Sequence, residues 1–111
     1  MEEPIRSYDE GNDKLVRDNI PAVIEENGEE PTIHVADEVE YADRLVEKLE
    51  EEVIEYRESR DLDELADILE VVHAIRTERG LTVEELREIR TRKAEQRGRF
   101  DDGIVLECVE K

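Results

Sequence analysis

Residues 45–75, LVEKLEEEVIEYRESRDLDELADILEVVHAI, constrain this chain more than any other stretch. Two amphipathic helical patterns meet there across a short polar break, Ser59-Arg60-Asp61, which predicts an antiparallel helical hairpin. Leu45, Leu49, Val53 and Tyr56 fall on one face of the first pattern, and Leu65, Ile68, Leu69, Val72 and Ile75 on one face of the second. Each pattern also carries acids three apart: Glu52 and Glu55, then Glu64 and Asp67. Residues i and i+3 share a helical face, so the hairpin would gather four carboxylates. They repel one another unless cations sit among them, and Mg²⁺, with Mn²⁺ as a substitute, is the expected ion for such oxygen donors.

Spacing alone is weak support, because 34 of the 111 residues are acidic. Placement around each helix says more. Glu52 falls at the edge of the apolar stripe. Glu64 falls between Ile75 and Val71, and Asp67 between Val71 and Ala74. An acid flanked by apolar side chains must be paired or bind a metal. Glu64, three residues after Asp61, also fits a capping box, and the two roles are compatible. Glu50 points away from this face. Glu51 is either a solvated neighbour or a base.

The formal net charge of −18 argues against binding to nucleic acid or an anionic membrane. High charge with few aromatics is also a signature of disorder, but the apolar periodicity through residues 39–94 opposes that. Adaptation to high salt, as in a halophile, is the expectation that fits, since salt screens the self-repulsion. In such a chain many carboxylates only coat the surface. No apolar run is long enough to span a membrane. The acidic opening MEEPIRSYDEGND does not read as a secretory signal, and a single cysteine, Cys108, fits a reducing cytoplasm.

Residues 1–12 read as a flexible acidic tail and 13–111 as one domain. Pro21 suits the first turn of a helix to about Asn27, stopped by Gly28. Asp37 can cap a helix to about Glu58, and Asp61 one ending near Gly80. Thr82 and Glu85 form a capping box for a last helix to about Arg97. The fold class predicted is mainly α, a bundle of about four helices. A small two-stranded β element is expected from β-branched residues near 32–35 and from residues 104–109. With a core of aliphatic side chains alone, a chain this small gains buried area by oligomerising.

Cations cluster late in the chain. Arg87, Arg90, Arg92, Lys93, Arg97 and Arg99 stand against only Glu88 and Glu95. Lys14 and Arg17 add two more before the first helix. Arg87, Arg90 and Arg92 read as ordinary pairing along a helix. Lys14, Arg17, Lys93 and Arg97 read as contacts to a phosphate ligand, bridged to the carboxylates by metal. His34, His73 and Cys108 read as structural.

Lys48-Leu49-x-Glu51-Glu52-x-x-Glu55 followed by Glu64-x-x-Asp67 resembles the ExxE…ExxD signature of the MazG superfamily of all-α nucleotide pyrophosphohydrolases. The flanks are similar to a small group of predicted house-cleaning, phosphoribosyl-ATP pyrophosphohydrolase-like members. That group opens with KLVRDxIP, here Lys14 to Pro21, and closes with an RGGF-like loop, here Arg97-Gly98-Arg99-Phe100. Arg99 departs from the loop's second glycine. The resemblance covers about residues 13–110. It implies that Glu52, Glu55, Glu64 and Asp67 hold Mg²⁺, and that a nucleoside triphosphate is hydrolysed to monophosphate and pyrophosphate. It also implies a homodimer or homotetramer. Glu51 or Glu55 would accept the proton of the attacking water. Lys14, Arg17, Lys93 and Arg97 would stabilise the leaving pyrophosphate. The alternative, from another class, is a non-catalytic acidic helical interaction module that binds no metal.

Overall fold

The computed structural model describes residues 13–111, so the acidic tail expected over residues 1–12 lies outside the described residues. Among the described residues the secondary structure is four α-helices and no strand. They are α1 (Ile20–Glu26), α2 (Glu38–Ser59), α3 (Leu62–Glu78) and α4 (Val83–Arg97). This is the mainly α architecture that the sequence predicts, with boundaries close to those set by its caps. The chain divides into two compact units, Met1–Ile75 and Arg76–Lys111.

The first unit holds α1, α2 and most of α3. Pro21 sits in the first turn of α1, where its missing N–H costs nothing. Asp37 caps α2, its carboxylate accepting from the Glu40 N–H at 2.9 Å. Arg60 ends α2 in the left-handed conformation, φ 60°, which is unusual for a residue with a Cβ. Its guanidinium donates back to the Arg57 carbonyl at 3.0 Å. With so tight a reversal, α3 returns alongside α2.

Which faces meet in the hairpin departs from the sequence expectation. On α2, Leu45 (2% exposed) and Glu52 (1%) are buried, while Lys48, Leu49, Glu51, Glu55 and Tyr56 are half-buried. Val53, expected in the buried stripe, is 49% exposed. On α3, Val71 is buried and Glu64, Asp67, Ile68, Val72 and Ile75 are half-buried. Leu65 and Leu69, expected inward, are exposed. Both inner faces are thus rotated toward the acids. Val53 on α2 and Leu65 and Leu69 on α3, expected inward, face outward, as does Val46.

The second unit carries the last turn of α3, α4 and the C-terminal segment. Gly80, at φ 75°, lets the chain turn off α3, and the Arg76 guanidinium donates to the Leu81 carbonyl. Helix α4 buries no residue, so its capping box matters. The Thr82 hydroxyl accepts from the Glu85 N–H at 3.1 Å, and the Glu85 carboxylate accepts from the Thr82 N–H at 3.0 Å.

The expected two-stranded β element is absent. Residues 32–35 and 104–109 carry no regular secondary structure and enter no ladder. Val35 is 91% exposed and Ile104 85% exposed. β-branched residues favour extended φ/ψ, but a strand also needs a partner for its N–H and C=O groups and a face to bury. Local pattern supplied only the first of these. No helix of the described residues is long and apolar enough to cross a membrane.

The capping box makes α4 pH-dependent. The hydrogen bond from the Thr82 backbone holds the Glu85 carboxyl below its ordinary value of 4.5. A lowered folded-state value stabilises above the unfolded value and is lost as pH falls through the folded one. Glu85→Ala should therefore be less stable than the parent chain at neutral pH, and the gap should close below pH 4.5. Urea midpoints followed by circular dichroism at both pH values check this.

Candidate functional site

The site lies on the inner face of the α2–α3 hairpin, within the first unit. Glu52 comes from the middle of α2, and Glu64 and Asp67 from the first two turns of α3. One carboxylate oxygen from each lies within 4.8 Å of the others. The hairpin explains this: Glu52 precedes the reversal at Arg60 by about two turns, and Glu64 and Asp67 follow it by one to two. Glu52 is buried, and the other two are half-buried.

Burying a carboxylate is costly unless its charge is met, and here a lysine meets it. Lys48 Nζ lies 3.3 Å from Glu52 Oε1, one helical turn away on α2. The same ammonium donates to Glu51 Oε2 at 3.3 Å. Lys14 Nζ donates to the other oxygen of Glu51, Oε1, also at 3.3 Å. Arg17 Nη2 donates to Asp67 Oδ1 at 2.6 Å. The segment just before α1 therefore lies along the acidic edge of the hairpin, fixed by two ion pairs that span 37 and 50 residues of sequence.

The expected site residues fall into three groups. Glu52, Glu64 and Asp67 come together, with Lys14, Arg17 and Glu51 beside them. Glu55 is half-buried on α2, three residues beyond Glu52, and is not a member of the three-acid cluster. Lys93 and Arg97 belong to the second unit, where both are exposed on α4. Lys48 is the residue whose importance the sequence reading passed over. Its signal was present: it stands four residues before Glu52 and three before Glu51, both helical pairing distances. His34 pairs with Glu40, its Nε2 2.8 Å from Oε2, at the start of α2. That contact, followed by Arg44, holds the Glu40 carboxyl below its ordinary value.

The chemistry open to this arrangement is limited and definite. Three oxygen donors from two helices, one of them fully buried, form a donor set that suits a hard divalent cation. The flanking Lys14 and Arg17 suit an anion with several oxygens, such as a phosphate chain. There is no thiol or hydroxyl nucleophile among the residues that make up the site.

Lys48 should be the cation on which the metal-free fold depends most. Its side chain is 12% exposed and that of Glu52 2%, so removing it takes a close cation away from a buried carboxylate. Lys48→Met should cost about 3 kcal/mol, measured by urea unfolding in the presence of a chelator. Added Mn²⁺ should restore part of that loss.

No protein-family model matches the chain, and neither does any curated protein or solved structure.

Proposed function

We propose that the chain is a metal-dependent nucleoside triphosphate pyrophosphohydrolase of the MazG-like kind, converting NTP and water to NMP and pyrophosphate, and that it removes noncanonical nucleotides. One observation carries this reading: the side chain of Glu52 is buried at a position where a hairpin core wants an apolar residue, and the oxygens of Glu64 and Asp67 face it within 4.8 Å. Stability alone would favour an apolar side chain there. A functional need for negative charge at that point accounts for its presence.

Glu52, Glu64 and Asp67 would hold Mg²⁺ or Mn²⁺. When bound, the ion supplies counter-charge for the phosphates and a more acidic water. The remaining work belongs to side chains. Both oxygens of Glu51 are engaged by lysines, so Glu51 orients Lys14 and Lys48. Glu55, on the same side of α2, is then the better candidate to take the proton from the attacking water. Lys14 and Arg17 bind the phosphate chain and stabilise charge on the leaving pyrophosphate. Lys93 and Arg97, the other phosphate-contact candidates of the sequence, belong to the second unit and carry no part of this reading.

The working form in this reading is a homo-oligomer. Val46 and Val53 on α2 are 53% and 49% exposed, and Leu62 and Leu69 on α3 are 77% and 68% exposed. Leu45 and Val71 are the only buried apolar residues among those described. A hairpin that turns acids inward and leucines outward needs a cover for its outer face, and a second copy would provide one.

A second reading, a non-catalytic acidic helical module, is favoured by the ion pairs themselves. Lys14, Arg17 and Lys48 compensate the acids without any metal. Metal binding separates the two readings.

Three substitutions test the assignment, with pyrophosphate release measured at high KCl over a panel of canonical and modified nucleoside triphosphates. Glu64→Gln should abolish both Mn²⁺ binding and release. Glu55→Gln should keep Mn²⁺ binding but lose at least about a hundredfold in turnover, the scale of a missing general base. Glu50→Gln, exposed on the opposite face, should leave both unchanged. A parent chain with no saturable Mn²⁺ site would favour the interaction module instead.

The oligomer has its own test. Leu69→Glu should shift the sedimentation coefficient of the chain to that of a monomer at high KCl. A sedimentation coefficient already monomeric in the parent chain would remove the outer face from the proposal.

A further inference from the structure

We infer that Arg17 and the divalent cation compete for the Asp67 carboxylate, so that Arg17 is a positioning residue exchanged from the protein's own acid to the substrate's phosphate as metal binds. The inference rests on the metal-site reading above and adds an order of events to it.

The geometry supplies the competition. Arg17 Nη2 is 2.6 Å from Asp67 Oδ1, and Asp67 is one of the three acids whose oxygens converge. A cation held by these acids and a guanidinium on the same carboxylate would be like charges at close range, which disfavours their coexistence. Which partner yields follows from exposure. The Arg17 side chain is 56% exposed and the Asp67 side chain 13%. An ion pair with one end in solvent is weak and gives way readily. Residues 13–17 are neither helix nor strand, so moving the Arg17 head breaks no backbone ladder.

Lys14 makes the exchange productive. It is held by Glu51, outside the three-acid cluster, and its side chain is 28% exposed. The segment therefore keeps one anchor on α2 while the other lets go. The Arg17 guanidinium, giving up Asp67, stays beside the acids, where a phosphate chain bound to the same cation would lie within reach of a fork-shaped donor. Lys48 cannot take this part. Its ammonium sits between Glu51 and Glu52 with a side chain only 12% exposed, and it belongs to the body of α2.

The experiment is Mn²⁺ titration of the full chain at high KCl, followed by electron paramagnetic resonance of the free ion. Without any phosphate ligand, Arg17→Gln should bind Mn²⁺ about three- to fivefold more tightly than the parent chain, the worth of an exposed ion pair. Arg17→Lys should lie near the parent, because the competing charge remains. Arg57→Gln makes the same change in net charge at an exposed α2 position and should leave the affinity unchanged. With Mn²⁺ saturating, inorganic pyrophosphate should bind more weakly to Arg17→Gln than to the parent. Unchanged or weaker Mn²⁺ binding by Arg17→Gln would overturn the exchange alone, as would equal tightening by Arg57→Gln. Absence of Mn²⁺ binding by the parent chain would overturn the exchange together with the metal-site reading.

Discussion

The buried carboxylate of Glu52 is the constraint to which the rest of the first unit answers. It takes a core position on α2 between Leu45 and Tyr56, 1% exposed, in a helix whose other acids mostly face water. A charge there raises the cost of folding unless a cation comes with it. Lys48 does so from the same helix, and Glu64 and Asp67 converge on the same point from α3. The facing surfaces of the hairpin turn toward this group of charges. As a consequence, Leu65, Leu69 and Val53 point outward.

That inversion links folding to function. A hairpin optimised for stability would bury its leucines and leave its acids in solvent. This one does the reverse along part of its length and buries few apolar residues among those described. The charges it keeps inside are matched by Lys14, Arg17 and Lys48, two of which arrive from a segment far away in sequence. In the reading proposed above, such an ion-paired cluster would exchange partners when a cation and a phosphate chain bind.

The acidity of the surface belongs to a different level of the problem. A net charge of −18 sets how the chain behaves in salt and which partners it repels. It also hides the site, because acids three apart recur along α2 and α3. Burial of Glu52 and the convergence of its oxygen with those of Glu64 and Asp67 separate the three from the coat. Glu50 and Glu58 share their residue type and their helix with Glu52, yet both are exposed.

The four helices and nearly all of their ends were legible in the sequence. Helix ends are set by local chemistry: Asp37 at an N-cap, Pro21 in a first turn, Gly28 and Gly80 after last turns, Thr82 with Glu85 in a capping box. The acids at i, i+3 on either side of Ser59-Arg60-Asp61 were legible for the same reason, since one helix face and one short reversal fix their neighbourhood. What the tertiary structure decided was which face turned inward. On α2, Val53 and Glu52 are adjacent in sequence, and the wheel favoured Val53; packing against α3 chose Glu52. The long-range pairs of Lys14 with Glu51 and Arg17 with Asp67 were equally invisible, because nothing local specifies a contact 37 or 50 residues away. Residues 32–35 and 104–109 mark the opposite case. Their β-branched composition suggested strands, but a strand exists only when a partner completes its hydrogen bonds, and sequence preference cannot supply one.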